Sequence, residues 1–341
     1  MTRILVTGGA GFIGSNFVQF LLREHADARV VVLDKLTYAG NLENLEPVRS
    51  DERYRFVRGD IADPKVVREV MEGCDLVYNL AAESHVDRSI QDAEAVVWTN
   101  VRGTQVLLDA ARELGVPRYV QVSTDEVYGS RRQGAFSESD PINPSNPYSA
   151  CKAAADLLVS SYVRTYKLPA LITRSSNNYG PYQHPEKLIP LHVTNALEGK
   201  ELPIYGDGSN VRDWLYVEDN CRAIDLVGRQ GAEGEIYNIA GHNERSNLWI
   251  VDRIVELTGC DPGQKRFVTD RPGHDFRYAI DDAKVRALGH ESRWSVEQGL
   301  RHTAEWYGKN KGWWRRVKSG EFADYYRTQY ERTQYEQRGT S

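Results

Sequence analysis

Short apolar runs alternate with amphipathic segments through the first half of this chain of 341 residues. Six runs are rich in β-branched residues and stop at glycine or a polar residue, as buried strands do: Arg3–Thr7, Val30–Leu33, Arg55–Val57, Leu76–Leu80, Arg118–Val122 and Ala170–Thr173. Helical spacing fills the intervals, above all in Gly14–Arg23, Ala93–Leu114 and Tyr148–Tyr166. Apolar strands that alternate with helices indicate a parallel sheet covered on both faces. The sequence therefore predicts an α/β fold with a doubly wound parallel sheet.

The pattern becomes less regular beyond about residue 175, where Gly, Pro and Asn are frequent, as in 177–181. We interpret residues 1–175 as a nucleotide-binding domain built on the parallel sheet. Residues 176–320 form mainly a smaller lobe that contributes substrate contacts, and residues 321–341 are a polar C-terminal extension. The first boundary is soft, because a late strand can return to the main sheet.

Composition and charge exclude several classes of protein. A formal net charge of −5 argues against non-specific binding of nucleic acid, which needs surplus Lys and Arg. No apolar stretch approaches the roughly 18 residues of a membrane span. The N-terminus runs directly into the first predicted strand, so we expect no secretory leader. The four cysteines are far apart and form no CxxC pair, which predicts no metal site, no disulfide framework and a cytoplasmic protein with reduced thiols.

A glycine-rich loop, TGGAGFIG at residues 7–14, follows the first strand and opens a helix. Glycines allow the tight turn, and the helix N-terminus then faces a pyrophosphate, as in Rossmann folds. Asp34 ends the second strand 20 residues after Gly14, the spacing expected of a carboxylate on the adenosine ribose. Such a carboxylate repels the 2′-phosphate of NADP, and although Lys35 could favour NADP, we give Asp34 more weight. The loop predicts NAD as cofactor.

Tyr148 and Lys152 are four residues apart in a predicted helix and therefore share a face. An ammonium beside a phenol, together with a positive nicotinamide ring, favours the phenolate and lowers the pKa of the tyrosine. A phenolate can remove the proton of a sugar hydroxyl. The spacing alone is weak, and a surface Tyr–Lys contact is the alternative, but the glycine loop and Thr124 at the end of the fifth strand favour a catalytic Thr–Tyr–Lys set.

Two adjacent carboxylates, Asp125 and Glu126, directly follow Thr124. A parallel sheet presents its ligands at the carboxyl ends of its strands, so both side chains can reach a substrate. The alternative is a solvated acidic turn or the N-cap of a short helix. Elimination of water requires one general acid and one general base, which this pair can supply.

The GxxGxxG spacing of the glycine loop resembles that of the extended short-chain dehydrogenase/reductase family. Further segments resemble its dTDP-glucose 4,6-dehydratases: DKLTYAGN at 34–41, AAESHVDRS at 81–89, Thr124-Asp125-Glu126, NNYGPY at 177–182, EKLIP at 186–190, RDW at 212–214 and DRPGHD at 270–275. These motifs span roughly residues 3–314. Ser175, where a cysteine is expected, and a short loop before the fifth strand are mild departures that do not touch the chemistry.

The resemblance implies roles for individual residues. Beside Gly8, Gly11, Gly14 and Asp34, the cofactor contacts it implies are Phe12, Ile13, Lys35, Thr37, Asp60, Ile61, Ala81, Ala82, Ser84, Thr99, Tyr148, Lys152 and Asn178. The substrate contacts it implies are Ser84, Thr124, Asp125, Glu126, Asn177, Lys187, Leu188, Pro203, Ile204, Tyr205, Arg212, Asn247, Arg271 and His274. The guanidinium of Arg212 suits a diphosphate, and the alternative is a structural salt bridge with Asp213 or Glu218.

The resemblance also implies a reaction, the conversion of dTDP-glucose into dTDP-4-keto-6-deoxyglucose for deoxysugar biosynthesis. Tyr148 takes the C4 hydroxyl proton during oxidation of C4. Glu126 then removes the C5 proton while Asp125 protonates the departing C6 hydroxyl. The hydride finally returns to C6, so that NAD is regenerated and the net reaction is that of a hydro-lyase without a metal.

Four alternatives share parts of this pattern. A nucleotide-sugar 4-epimerase would keep the glycine loop and the Tyr148–Lys152 pair but has no use for two acidic residues. UDP-glucuronate decarboxylases and GDP-mannose dehydratases tend to carry serine in place of Asp125. A non-catalytic NAD-binding regulator commonly loses the tyrosine or the lysine.

Assembly is predicted from two long helices, Ala93–Leu114 and Tyr148–Tyr166. Both carry apolar residues on more than one face: Val96, Val97, Val106, Leu107, Leu108, Leu157, Leu158, Val159 and Tyr162. A helix that is apolar beyond one stripe needs a second burial partner. We therefore expect a two-fold homodimer with a four-helix interface, as the resemblance also implies.

Overall fold

A seven-stranded parallel sheet is the centre of the computed structural model, which describes residues 1–270 and 275–319. Its strands are β1 (Thr2–Thr7), β2 (Ala28–Asp34), β3 (Tyr54–Arg58), β4 (Leu76–Asn79), β5 (Tyr119–Thr124), β6 (Ala170–Ser175) and β10 (Ile236–Ile239). They are ordered β3-β2-β1-β4-β5-β6-β10, and each neighbouring pair is parallel. The order of the strands reverses between β1 and β4, where doubly wound sheets open a ligand-binding crevice.

Twelve helices accompany the strands in the described part of the chain: α1 (Phe12–Glu24), α2 (Pro64–Met71), α3 (Val86–Gln91), α4 (Ala93–Val96), α5 (Thr104–Glu113), α6 (Pro147–Tyr166), α7 (Leu188–Leu197), α8 (Val217–Gln230), α9 (Asn247–Thr258), α10 (Ala283–Ala287), α11 (Val296–Lys309) and α12 (Lys311–Val317). Short 3₁₀ segments are Leu42–Val48, Asp125–Tyr128 and Pro262–Gln264. One face of the sheet packs on α1 and α8, and the other packs on α2, α5 and α6. None of the helices in the described ranges combines the length and apolar character needed to cross a bilayer.

The predicted α/β Rossmann fold is confirmed. All six predicted strands are present with ends within two residues of the prediction. The seventh strand, β10, comes from the region assigned to the smaller lobe and extends the main sheet beside β6. The division at residue 175 stays a prediction, and the proposed extension 321–341 lies outside the described residues.

The predicted helix Ala93–Leu114 is interrupted, which the sequence did not indicate. A π-helical segment, Val97–Gly103, separates α4 from α5. Within it, the buried Asn100 pairs through its side-chain amide with both backbone groups of Glu83, at 2.9 and 3.0 Å. The wider turn therefore ties the helix to the loop that follows β4, and π segments of this kind occur frequently at functional sites.

The second lobe is built around two small sheets. One contains β7 (Asn177–Tyr179), β9 (Val211–Tyr216) and β11 (Glu244–Ser246), and the other pairs β8 (Leu202–Tyr205) with β12 (Lys265–Val268). Its core packs buried aromatic residues, among them Tyr179, Trp214 and Trp314, against α7, α9 and α11. This lobe leaves a gap to the carboxyl ends of the central strands.

A buried polar chain crosses the carboxyl ends of the central strands. The Thr7 hydroxyl donates to Asn79 Oδ1 at 2.6 Å, and Asn79 Nδ2 donates to Gln121 Oε1 at 2.9 Å. Thr7 Oγ1 also accepts a hydrogen bond from the backbone N–H of Ala81 at 3.3 Å. These bonds fix β1, β4 and β5 at the reversal of strand order and set the path of the loop after β4.

We predict that Asn79→Leu lowers the free energy of unfolding by about 2–3 kcal/mol, because the buried Thr7 hydroxyl loses its acceptor and Gln121 Oε1 loses one of its two donors. Urea denaturation measures the change. Thr2→Val is the matched control at the opposite end of β1, where the exposed Thr2 hydroxyl bonds Asp27; it should change stability by no more than about 0.5 kcal/mol. Equal effects of the two substitutions would contradict the assigned role of the chain.

Candidate active site

The glycine loop makes a close turn between β1 and α1. Gly8 has a φ of +69°, and a Cβ there would lie 2.6 Å from the backbone nitrogen of Ala81. A Cβ on Gly14 would overlap the carbonyl oxygen of Gly8. Helix α1 begins at Phe12, and no side chain caps it. Its first N–H groups are therefore available for an anionic group, as the sequence predicted.

Asp34 lies at the end of β2 beside the same loop. Its Oδ2 accepts from the backbone N–H of Ala10 at 2.9 Å, and its Oδ1 accepts from that of Leu36 at 2.8 Å. Burial raises the pKa of Asp34, against the effect of these two bonds. Lys35 donates to Asp60 Oδ2 at 2.7 Å, so its ammonium already has a carboxylate partner. Lys35 was the one residue near the glycine loop that could favour the 2′-phosphate of NADP, and its charge is balanced by Asp60.

A first cleft of about 1050 Å³ opens along the glycine loop and the ends of β2, β3 and β4. It is lined by these predicted cofactor residues: Gly8, Gly11, Phe12, Ile13, Gly14, Asp34, Lys35, Thr37, Asp60, Ile61, Ala81, Ala82, Ser84 and Thr99. The predicted Tyr148, Lys152 and Asn178 do not line it. The prediction missed Leu33, Ala39, Gly40, Gly59, Leu80, Glu83, Gln183, His184, Glu186 and Lys187. The cleft can hold a dinucleotide, with its phosphates at the loop and its ribose at Asp34.

A second cleft of about 930 Å³ lies between the sheet and the second lobe. The predicted substrate residues that line it are Glu126, Asn177, Lys187, Leu188, Pro203, Ile204, Tyr205, Arg212 and Asn247. Ser84 lines the first cleft instead, Thr124 and Asp125 line neither, and Arg271 and His274 lie outside the described residues. Lining residues that were not predicted include His85, Asp87, Leu191, His192 and Trp214.

Glu186 and Lys187 line both clefts and therefore mark their junction. Lys187 Nζ donates to the carbonyl oxygen of Ser84 at 2.7 Å, which joins the second lobe to the loop after β4. The two clefts are therefore adjacent and share one wall. A ligand in the second cleft can meet the inner end of a dinucleotide in the first.

Arg212 is buried on β9 and is oriented by backbone carbonyl groups. Its guanidinium donates to Val211 O at 2.7 Å and to Asp275 O at 2.9 Å. The alternative partners proposed from the sequence are engaged elsewhere. Asp213 accepts from the backbone N–H groups of Gly241 and Asn243, and Glu218 accepts from Arg222.

Tyr148 and Lys152 lie in the first turns of α6, whose start is fixed by a capping box between Asn146 and Ser149. Lys152 Nζ donates to Val122 O at 2.6 Å, and burial lowers the pKa of this lysine to about 8. Burial raises the pKa of Tyr148, and the charges of Glu126, Asp125 and Asp156 raise it further. Lys152 alone therefore does not give the tyrosine a low pKa, and the depression predicted from the sequence requires the cationic ring as well.

The acidic pair after β5 is split between two environments. Asp125 is only 2% exposed, and burial raises its pKa well above the usual range, with Glu126 and Asp213 adding to the effect. Among the described residues, Asp125 Oδ2 has no hydrogen-bond partner, while Oδ1 accepts from Thr124 at 3.3 Å. Thr124 rather than an acidic residue caps the short 3₁₀ turn, and Asp125 is not solvated, so both structural alternatives for Asp125 fail.

Glu126, in contrast, lines the second cleft. Burial therefore favours the protonated form of one carboxyl group, and its neighbour borders the space for the substrate. A pair with environments this different is suited to acid and base roles in one reaction.

Comparisons with known proteins agree with the resemblance carried by the motifs. Residues 5–303 match the family described as GDP-mannose 4,6 dehydratase. The chain is 56% identical to the low-salt glycan biosynthesis protein Agl12 of Haloferax volcanii, over 89% of this chain and 98% of the relative. It is 51% identical to the dTDP-glucose 4,6-dehydratase of Streptomyces niveus, over 93% and 96%. The crystal structure of DesIV, a dTDP-glucose 4,6-dehydratase from Streptomyces venezuelae with NAD bound, superposes with a TM-score of 0.91 at 52% identity, over 93% and 100%.

We predict that NAD binds about tenfold or more tightly than NADP, because the 2′-phosphate would meet the buried carboxyl of Asp34. Titrations followed by intrinsic tryptophan fluorescence measure both affinities. Asp34→Asn should reduce the preference for NAD over NADP, since it removes the charge of the carboxylate and keeps one hydrogen-bond acceptor. Asp27→Asn, an exposed change just before β2, is the control and should leave the ratio unchanged. Tighter binding of NADP by the unaltered protein would contradict the assignment.

Proposed function

The chain belongs to the GDP-mannose 4,6-dehydratase family, and from this membership we propose that it is a dTDP-glucose 4,6-dehydratase. It is a hydro-lyase that uses NAD and yields dTDP-4-keto-6-deoxyglucose, a precursor for deoxysugar biosynthesis. Relatives with this activity in their names are about half identical to the chain over nearly their whole length. The observation that carries the proposal is the buried Asp125, whose surroundings favour the protonated carboxyl group, beside Glu126 at the end of β5.

The first cleft fits NAD. An uncapped helix N-terminus for the pyrophosphate and a carboxyl group for the ribose are both present there. When bound, NAD⁺ accepts the hydride from C4 of the sugar and returns it to C6. The residues of the chain hold the cofactor, orient the sugar and move the protons.

Tyr148 is the base for the C4 hydroxyl. Its phenol lies at the start of α6 beside the acidic pair, and Lys152 follows it one turn later. As a phenolate, Tyr148 takes the hydroxyl proton during the oxidation, while the Lys152 ammonium stabilises the phenolate charge. The ketone that forms at C4 makes the proton at C5 acidic.

Glu126 and Asp125 then eliminate water. Glu126 borders the second cleft and removes the C5 proton as a general base. Asp125, whose burial favours the protonated form, gives its proton to the departing C6 hydroxyl. After the hydride has returned to C6, a proton returns to C5.

The second cleft supplies the substrate contacts. The Arg212 guanidinium, fixed by backbone carbonyl groups, binds the diphosphate. Lys187 and Asn247 border the same space, and Pro203, Ile204 and Tyr205 form the wall assigned to the thymine. The roles of the predicted Arg271 and His274 stay predictions.

A 4-epimerase is the nearest competing function, and it needs only the tyrosine, the lysine and the cofactor. It has no use for a buried carboxyl group of which one oxygen has no hydrogen-bond partner among the described residues, an arrangement that costs stability. A non-catalytic regulator is disfavoured because Tyr148 and Lys152 are both present at the junction of β5 and α6. The cytoplasmic location stays a prediction; the four cysteines are free thiols.

Variants of the three catalytic residues should stop the reaction at different steps. Tyr148→Phe should suppress the first oxidation. Glu126→Gln should still oxidise C4 but lose elimination and the incorporation of solvent deuterium at C5. Asp125→Asn should slow the loss of water while leaving the reduction of NAD⁺ largely intact. Each loss should be about 10²–10⁴-fold, measured by the absorbance of reduced cofactor and by NMR of the products.

Two controls accompany these variants. Glu113→Gln, an exposed change on α5, should retain wild-type rates. The unaltered enzyme should be assayed with dTDP-, UDP-, GDP- and CDP-glucose and should prefer the first. Product formation by Glu126→Gln at the wild-type rate, or a wild-type enzyme that gives only the C4 epimer, would overturn the proposal.

We also propose a two-fold homodimer. Of the residues that suggested it, Val96, Val106, Leu107, Leu108 and Val159 are buried within the monomer, so the sequence argument was wrong for them. Val97 and Leu157 remain exposed at 49% and 59%, and Trp98 on the π segment is 52% exposed. An apolar surface on the π segment and α6 is what a four-helix interface would bury.

Light scattering at micromolar concentration should therefore give twice the 38.7 kDa mass of one chain. Leu157→Asp should shift the protein toward the monomer, because it places a charge in the proposed interface. Leu42→Asp changes another exposed leucine, outside that surface, and should leave the dimer intact. A monomeric wild-type mass would contradict this assembly.

A further inference from the structure

Three ionisable side chains follow one another at single-turn intervals along α6. Tyr148, Lys152 and Asp156 are four residues apart and therefore share one helix face. All three are buried, and Asp156 is 1% exposed. The proposed reaction uses the first two but assigns nothing to Asp156. A buried carboxyl group next to a reacting pair affects the charge of its neighbours.

Asp156 is held by an arginine from the neighbouring strand. Arg174 on β6 donates from Nε to Asp156 Oδ2 at 2.9 Å, and both side chains are almost fully buried. The guanidinium also lies over the ring of Tyr128 at 4.7 Å. Burial raises the pKa of Asp156, and the charge and hydrogen bond of Arg174 oppose that rise. Arg174 therefore favours the ionised carboxylate.

The surroundings of Lys152 disfavour its charged form. Burial disfavours its ammonium and lowers its pKa to about 8, and the charge of Asp156 counteracts this shift. The hydrogen bond from Nζ to Val122 O fixes the position of the amine but supplies no negative charge. Among the described residues, the Asp156 carboxylate is thus the charge that favours the ammonium form of Lys152.

The other charged groups on elements packed against α6 have different partners or surroundings. Asp125 and Glu126 lie on the 3₁₀ turn beside Tyr148. On α3, Asp87 lines the second cleft and Arg88 pairs with Glu186. On α5, Asp109 accepts from Tyr162, Arg112 lies over the ring of Tyr166, and Glu113 pairs with Arg68. Glu94 on α4 is exposed, and Arg102 on the π segment bonds Gln105. Tyr128 donates to Asn238. Among the described residues, Asp156 is the one whose charge raises the pKa of both Lys152 and Tyr148. It favours the Lys152 ammonium and directly opposes the Tyr148 phenolate, so its benefit to the phenolate acts through Lys152.

We propose that Asp156 and Arg174 are a positioning pair that holds Lys152 as an ammonium beside Tyr148. Arg174 keeps Asp156 ionised and in place, the carboxylate stabilises the ammonium, and the ammonium stabilises the phenolate that takes the proton from the sugar. The catalytic consequence rests on the proposed function. The charge state of Lys152 does not, and it can be measured without cofactor or substrate.

The first test is an NMR titration of the full chain labelled with ¹³C at lysine Cε, with the Lys152 signal assigned by its loss in Lys152→Met. The midpoint should lie near pH 8 in the wild type. In Asp156→Asn it should lie about one unit lower, because a stabilising charge has been removed. An unchanged midpoint would overturn the proposal.

The second test follows cofactor reduction in single turnovers with dTDP-glucose, in the Glu126→Gln background that stops before elimination. Because the reaction needs protonated Lys152, its rate falls above the pKa of that lysine. Adding Asp156→Asn should move this alkaline limb down by about one unit, which makes the rate about tenfold lower above pH 9 and leaves it near the parent value at pH 6. If Asp156→Asn lowers the rate equally at every pH and the decline at high pH does not shift, Asp156 has a merely structural role and the proposal is overturned.

Two further variants separate charge from folding. Asp156→Asn/Arg174→Gln removes both buried charges, so no unpaired cation remains to destabilise the fold, and it should show the same downward shifts. Asp109→Asn makes the same chemical change at a group bonded to Tyr162 of α6 and should shift neither quantity. If Lys152 titrates as expected but no protein reduces the cofactor, the proposed function fails and the charge coupling stands.

Discussion

A steric constraint at the end of β1 determines where the rest of the site can form. Gly8 turns back with a positive φ, and Gly14 lies so close to the Gly8 carbonyl that a side chain cannot fit between them. This close approach lets α1 start directly after the strand, with its uncapped N-terminus open to the crevice. Because the order of strands reverses next to β1, the polar chain from Thr7 to Gln121 aligns the ends of β1, β4 and β5 around that crevice.

Burial then sets the charges of the groups that meet at this edge. The same low-polarity surroundings raise the pKa values of Asp125 and Tyr148 and lower that of Lys152. The consequences of these shifts differ. The raised pKa of Asp125 favours the protonated form that a general acid needs. The shifts of Tyr148 and Lys152 oppose the phenolate and the ammonium that proton abstraction needs. Lys152 therefore depends on the charge of Asp156 to favour its ammonium, and Tyr148, whose carboxylate neighbours oppose the phenolate, depends on the cationic nicotinamide ring.

Local patterns revealed most of the fold and much of the site. The β-branched runs and the spacing from Gly14 to Asp34 depend only on residues near one another in the chain, so they could be read from it. The acidic pair could be placed at a strand end, but its division into a buried acid and an accessible base could not. That division depends on neighbours such as Asp213, which is 88 residues from Asp125 along the chain (213 − 125). The π segment depends likewise on the contact between Asn100 and Glu83, and the entry of Gln183 and His184 into the first cleft has no local signal.

The position of the second lobe follows from a buried cluster that no local pattern indicated. The Glu186 carboxyl lies 3.5 Å from Arg88 Nε and within 3.8 Å of both His85 and His184. Burial lowers the pKa of His184 to about 3, so that this ring is neutral at physiological pH and Arg88 supplies a positive charge opposite Glu186. Arg88 also lies 3.9 Å from the ring of Tyr38, in the loop after β2. Both walls of the first cleft are thereby joined to the segment that carries Lys187, and the meeting point of the two clefts is set by the protein itself.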